Sequence, residues 1–279
     1  MKIKQRKIID GVMYAVMVIS LAGVIAVLAG ILVYILKSSA GFFDASFITS
    51  IERGILPMIV TTLYVVLVSI VIALPVGIAT AIFLNEYSGN SNLIRILRLA
   101  IETLAGIPSI IYGLFGLLMF CRFLGFGQSI IAGAFTLSIM ILPVIIRTTE
   151  ESLKSIPGSF REASLALGAT QFQTIIHVAL PSALPGIVTS VILAIGRVVG
   201  ESAPVLLTVG LTKNMPRTIF ESGRTLTIHL YYLTNEAVRP EDFGMAFATA
   251  AVLIILVIII NTVTKIITGN FRKKPGDIQ

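Results

Sequence analysis

Six stretches without a single Asp, Glu, Lys or Arg constrain this chain more than anything else in it. They run over 11–36, 54–85, 103–121, 123–146, 163–196 and 243–264. Crossing the ~30 Å hydrocarbon core takes ~20 helical residues. The runs lack the strict alternation of a membrane barrel, and lipid satisfies no backbone group, so helices are the expected form. The reading is an all-α integral membrane protein with six transmembrane helices, at 12–36, 58–84, 104–121, 129–147, 183–210 and 244–267. Only 13% of the 279 residues are charged, against about 25% in soluble domains.

The net charge of +7 does not point to nucleic acid, because the basic residues sit between apolar runs and form no basic domain. Lys and Arg in such positions set orientation. With the N-terminus inside, the inner segments hold thirteen Lys and Arg, the outer ones seven, and Arg197 lies within a span. Both termini are therefore expected in the cytoplasm. The basic start (Lys2, Lys4, Arg6, Lys7) resembles a secretory signal, but the apolar run after it exceeds the ~7–15 residues of a signal core. An uncleaved first span is expected. The domain plan is a cytoplasmic segment 1–11, a membrane domain 12–267 and a cytoplasmic tail 268–279. The membrane domain carries an inner loop at 148–181 and an outer loop at 211–243. Residues 90–103, with Arg95, Arg98 and Glu102 among apolar residues, predict an amphipathic helix at the inner surface.

The inner loop has helix punctuation. Ser159 and Glu162 fit one capping box, and Thr170 and Gln173 fit another. Gly168 between them suits a left-handed stop. Two short helices joined by a sharp turn are predicted. The second carries Phe172, Ile175 and Ile176 as an apolar knob and ends at Leu180-Pro181. Such a knuckle suits docking into another protein's groove. It equally suits a helix lying on the membrane or packed on its own bundle.

These residues resemble a known pattern. Glu162-Ala163-Ser164, then Gly168, then Val178-Ala179-Leu180-Pro181 keeps the spacing of the EAA loop of ABC importer permeases, with Ser164 and Val178 as two small departures. The segments 105–116, 161–170 and 194–204 resemble the phosphate-specific permeases, most of all their A-type subunit, and the likeness covers about 55–265. A weaker match runs over 223–232. The resemblance implies a type I importer permease that forms half of a transmembrane path for inorganic phosphate. Glu162, Ala163, Gly168, Leu180 and Pro181 would form its ATPase-coupling loop. It implies a second homologous permease, cytoplasmic ABC ATPase subunits that use ATP and Mg, and an extracytoplasmic phosphate-binding protein, set in membrane lipid of a bacterial or archaeal cell. Another oxyanion, such as molybdate or sulfate, is a near alternative. An ion-coupled secondary carrier is a more distant one.

Two charges fall inside the fifth span, Arg197 and Glu201. Positions i and i+4 share a helix face, which makes them neighbours. An Arg inside the bilayer costs from about 2.5 to over 10 kcal/mol and must face a partner or water. A planar guanidinium suits an oxyanion, so Arg197 and Glu201 are candidate residues of the translocation path. A structural ion pair locking a helix interface is the other reading. Gly196 and Gly200 beside them would let a second helix approach. No catalytic residue and no metal site are expected: neither G-x-S-x-G nor GxxxxGK[ST] occurs, and His177 and His229 fall on opposite sides. The chain is expected to carry no cofactor of its own. Tyr231 and Tyr232 read as an interfacial belt, and Cys121 as a small packed residue.

Overall fold

The computed structural model describes residues 3–42, 45–49, 54–87, 92–236 and 240–272, and every regular element among them is helical. The elements are α1 (Ile3–Ser39), α2 (Ala45–Thr49), α3 (Leu56–Ile82), α4 (Asn92–Gly106), α5 (Ser109–Gly116) and α6 (Ile130–Lys154). They continue as α7 (Gly158–Ala166), α8 (Gln171–Thr174), α9 (Leu180–Gly200), α10 (Ala203–Thr208), α11 (Leu226–Asn235) and α12 (Pro240–Arg272). Among the described residues, five helices are long and apolar enough to cross a membrane: Ile9–Ser39, Leu56–Tyr87, Ile130–Lys154, Gln171–Gly200 and Asp242–Ile266. A sixth crossing is made if α4 and α5, bent by 101°, count as one span.

α6 is the central helix. Ile130, Leu137, Met140, Ile141 and Ile145 are fully buried between α3 and α9. Small residues let the backbones approach where lipid gives no hydrophobic drive between helices. A Cβ on Gly77 would strike Ile145, and one on Gly186 would strike Ser152. Ser138 Oγ donates to Ser69 O at 3.0 Å across α3 and α6, and Ser152 Oγ donates to Ala183 O at 3.1 Å across α6 and α9. Between Ile9 and Lys37 α1 is exposed at every residue but Ile35, and it meets the rest through α12, where Tyr34 packs edge-on against Phe247 at 5.4 Å.

Prolines account for three departures from the predicted spans. The span expected at 104–121 is broken, because Pro108 in a continuous helix would clash with the carbonyl of Leu104. That carbonyl instead accepts from Ile107 N at 3.2 Å and from Tyr112 Oη at 2.6 Å. α4 takes the predicted amphipathic segment, with Leu93, Ile96 and Leu99 exposed and Arg98 and Glu102 turned to α6. The span expected at 183–210 stops at Gly200, whose carbonyl Pro204 would strike. Glu201 turns extended (φ −76°, ψ 132°) and α10 begins afresh. At the other end the predicted stop at Leu180-Pro181 does not occur. Residues Ile175–Ala179 widen into π-type turns that carry Pro181 without a break, so α8 runs through into α9. The segment expected as the outer loop, 211–243, contains α11 and the start of α12.

Candidate functional site

The knuckle between α6 and α9 is built by local chemistry. α7 begins at Gly158 behind Pro157, so Ser159 is already helical and no side chain caps this end; the box expected at Ser159 and Glu162 does not form. The far end closes as a Schellman turn. Gly168 sits at φ +86°, its N–H donates to Leu165 O at 2.9 Å, and Ala169 N donates to Ser164 O at 3.2 Å. The second capping box does form: Gln173 N donates to Thr170 Oγ1 at 3.2 Å, and Thr170 N donates to Gln173 Oε1 at 2.8 Å. Ser164, one of the two departures from the family pattern, has its hydroxyl 2.9 Å from Thr174 Oγ1 and ties the two helices together.

The knuckle presents apolar groups outward. Leu167 is 89% exposed, and Phe160, Leu165 and Phe172 are also exposed. Ile176 joins them, but Ile175 turns inward and is buried, a correction to the predicted knob. Glu162, Ala163, Gly168 and Pro181 are exposed and Leu180 is half-buried, so the predicted loop residues lie together on this one knuckle. His177 is exposed, with Nδ1 3.0 Å from Gln173 O.

Arg197 lies in the last turn of α9, about 25 Å along the axis from Leu180 at 1.5 Å per residue. Its Nε is 3.8 Å from Glu201 Oε1 although Glu201 has left the helix, and both side chains are half-buried. That distance is an ion pair and too long for a hydrogen bond. Among the described residues no acceptor lies within hydrogen-bond reach of the guanidinium, which keeps donors for another acceptor. The break also frees helix carbonyls, one of which, Val199 O, accepts from Thr227 Oγ1 at 2.6 Å. Irregular backbone within a membrane helix bundle is tolerated where it lines a cavity or packs on protein. A Cβ on Gly196 or Gly200 would meet no atom of the described residues within 4 Å, so the close helix approach expected at these glycines is not made among them.

Sequence reasoning missed two sets of residues. One is an ionic web at the knuckle end: Glu150, buried, takes Arg98 Nη1 at 2.7 Å and Lys154 Nζ at 2.8 Å, and Glu86 pairs with Arg161 at 2.8 Å. The signal available for Glu86 was a carboxylate directly after the charge-free run 54–85. The other is a pocket of about 290 Å³ at the α11 end, lined by Lys213, Arg224, His229, Tyr232, Glu236 and Asp242. Arg224 is buried, donates from Nε to Leu211 O at 3.0 Å and lies 4.5 Å over the Tyr232 ring, which takes Tyr232 out of a simple lipid belt. Burial first, then the charges of Arg224 and Lys213, push the His229 imidazole down to about 4. Among the described residues, no group of His, Cys, Asp and Glu could hold a metal ion.

Comparison with known proteins decides the family. The family described as the binding-protein-dependent transport system inner membrane component matches residues 73–275. The chain belongs to this family. The permease is 34% identical over 288 residues to the probable ABC transporter permease protein YqgI of Bacillus subtilis, covering 96% of this chain and 98% of that one. It is 40% identical over 196 residues to the phosphate transport system permease protein PstA 1 of Mycobacterium tuberculosis, covering 70% and 64%. Its fold matches a bacterial alginate ABC transporter at a TM-score of 0.72 and 13% identity, covering 99% and 100%. The MetNI methionine ABC transporter matches at 0.63 and 22%, covering 82% and 99%. The permease is a multi-pass, type I ABC importer subunit, a transport component.

Proposed function

We propose that this permease forms half of the transmembrane path of an ATP-driven importer of inorganic phosphate. The observation that carries the substrate is the 40% identity to a phosphate transport permease across 196 residues. Arg197, held by Glu201 at 3.8 Å with donors to spare, supplies a fitting group for an oxyanion. Glu201 holds the arginine while the path is empty and offsets its charge so that the anion is released. The knuckle carrying Glu162, Ala163, Gly168, Leu180 and Pro181 docks in the cytoplasm on an ABC ATPase that hydrolyses ATP with Mg. A second, homologous permease completes the path, and an extracytoplasmic phosphate-binding protein delivers the anion. Both termini face the cytoplasm of the cell that houses the importer in its membrane.

The substrate is tested by competition. In cells whose phosphate uptake depends on this chain, excess unlabelled phosphate abolishes labelled phosphate uptake, while equal sulfate or molybdate leaves it unchanged. Strong competition by molybdate or sulfate transfers the permease to that oxyanion.

A further inference from the structure

One guanidinium gathers three elements at the knuckle end. Arg161, on α7, sends Nη2 to Glu86 Oε1 at 2.8 Å and Nε to Glu86 Oε2 at 3.2 Å, a fork on a carboxylate in the π-type turns Phe83–Tyr87 that continue α3. The same side chain donates from Nη2 to Leu153 O at 2.9 Å and from Nη1 to Ile156 O at 3.2 Å, satisfying carbonyls where α6 ends. Glu86 is 8% exposed at its side chain and also accepts from Asn85 Nδ2 at 2.7 Å. Gln171, at the start of α8, adds a donation from Nε2 to Glu86 O at 2.8 Å. A part-buried, forked ion pair of this kind, with further hydrogen bonds on both partners, fixes geometry better than an exposed one.

The covalent chain alone gives the knuckle a different set of attachments. α8 is continuous with α9, so a displaced knuckle moves α9 directly. Nothing in the chain path ties it to α3, whose π-type continuation holds Glu86, 75 residues from Arg161. We propose that Arg161 and Glu86 are positioning residues that join the coupling knuckle to α3 and to the end of α6. Displacement of the knuckle then moves three helices as one block. The proposal rests on the reading that the knuckle docks on an ATPase.

The test uses the complete importer in proteoliposomes, with Arg161→Gln, Glu86→Gln and Arg161→Lys. Each variant is expected to co-purify with the ATPase and to hydrolyse ATP. Phosphate moved per ATP falls by at least about tenfold in the two neutral variants, since one charge of a part-buried pair is left alone and the fork is lost. Arg161→Lys keeps an intermediate ratio, because an ammonium retains the charge and loses the fork. An unchanged ratio in both neutral variants overturns the proposal, and so does loss of ATPase association, which would make the pair a folding element. A wild-type chain that captures no ATPase overturns the docking reading and the joint with it. An independent arm places spin labels at Tyr87→Cys and Ala166→Cys, both exposed sites, in a Cys121→Ser background. One narrow distance, unchanged between nucleotide-free and ATP-bound states and broadened by Arg161→Gln, supports the joint. A wild-type distance that shifts between the two states contradicts it.

Discussion

At Arg197 the helix stops three residues later, and the carboxylate four residues on has already turned into extended backbone. An arginine with one loose partner differs from one locked in a structural fork. If Arg197 meets the moving anion, Arg197→Gln lowers phosphate uptake at least about tenfold with assembly intact, and Arg197→Lys restores part of it. The double variant Arg197→Gln with Glu201→Gln then stays defective in uptake. A double variant that restores full uptake would show that the pair only balances itself. His229, on α11 outside the spanning helices, makes a different prediction. Its pKa is held from 6.5 down to about 4, so between those values the unfolded chain takes a proton that the folded protein refuses. Stability is full above pH 6.5 and falls as pH drops through that window. Solubilised His229→Gln should therefore show a shallower loss of Tm between pH 6.5 and pH 4 than the native protein; equal slopes would contradict the buried neutral ring.

The knuckle shows what an element owes to single backbone positions. Gly168 has φ +86° with open space around it, so a side chain there meets no neighbour and the penalty is purely conformational. Gly168→Val costs about 1–2 kcal/mol or more in the left-handed region and swings α8 off its axis. The expected result is normal membrane insertion with reduced ATPase association and uptake. Normal uptake in Gly168→Val would show that the turn does not set the docking geometry. Gly168 and the Thr170–Gln173 box were legible because their partners lie three to five residues away. The box at Ser159 was misread because Pro157, two residues upstream, moved the helix start. The continuity of α8 with α9 was hidden for a related reason: Pro181 reads as a stop unless the turns before it widen, and that widening is settled by tertiary packing.

For the molecule as a whole, charge-free runs made the all-helical membrane class readable, since lipid leaves so few backbone solutions. Where the spans break was less readable. Pro75 and Pro143 lie inside unbroken helices, whereas Pro108 and Pro204 stand at the starts of new helices, α5 and α10. The difference lies in the packing around each one: Tyr112 takes up the carbonyl freed near Pro108, and Thr227 takes up one freed before Pro204. The Glu86–Arg161 joint was unreadable for the same reason, its partners being 75 residues apart. On the proposed function, this permease moves phosphate only when ATP acts at the knuckle face. The most direct measurement reconstitutes the importer in proteoliposomes, with binding protein and labelled phosphate on the face of 211–225 and nucleotide on the face of residue 160. Accumulation at the nucleotide face with ATP and Mg, and none with a non-hydrolysable analogue or without the binding protein, is the predicted result. Phosphate transport by this chain alone, without ATPase or ATP, would overturn the proposed function and make the protein a carrier.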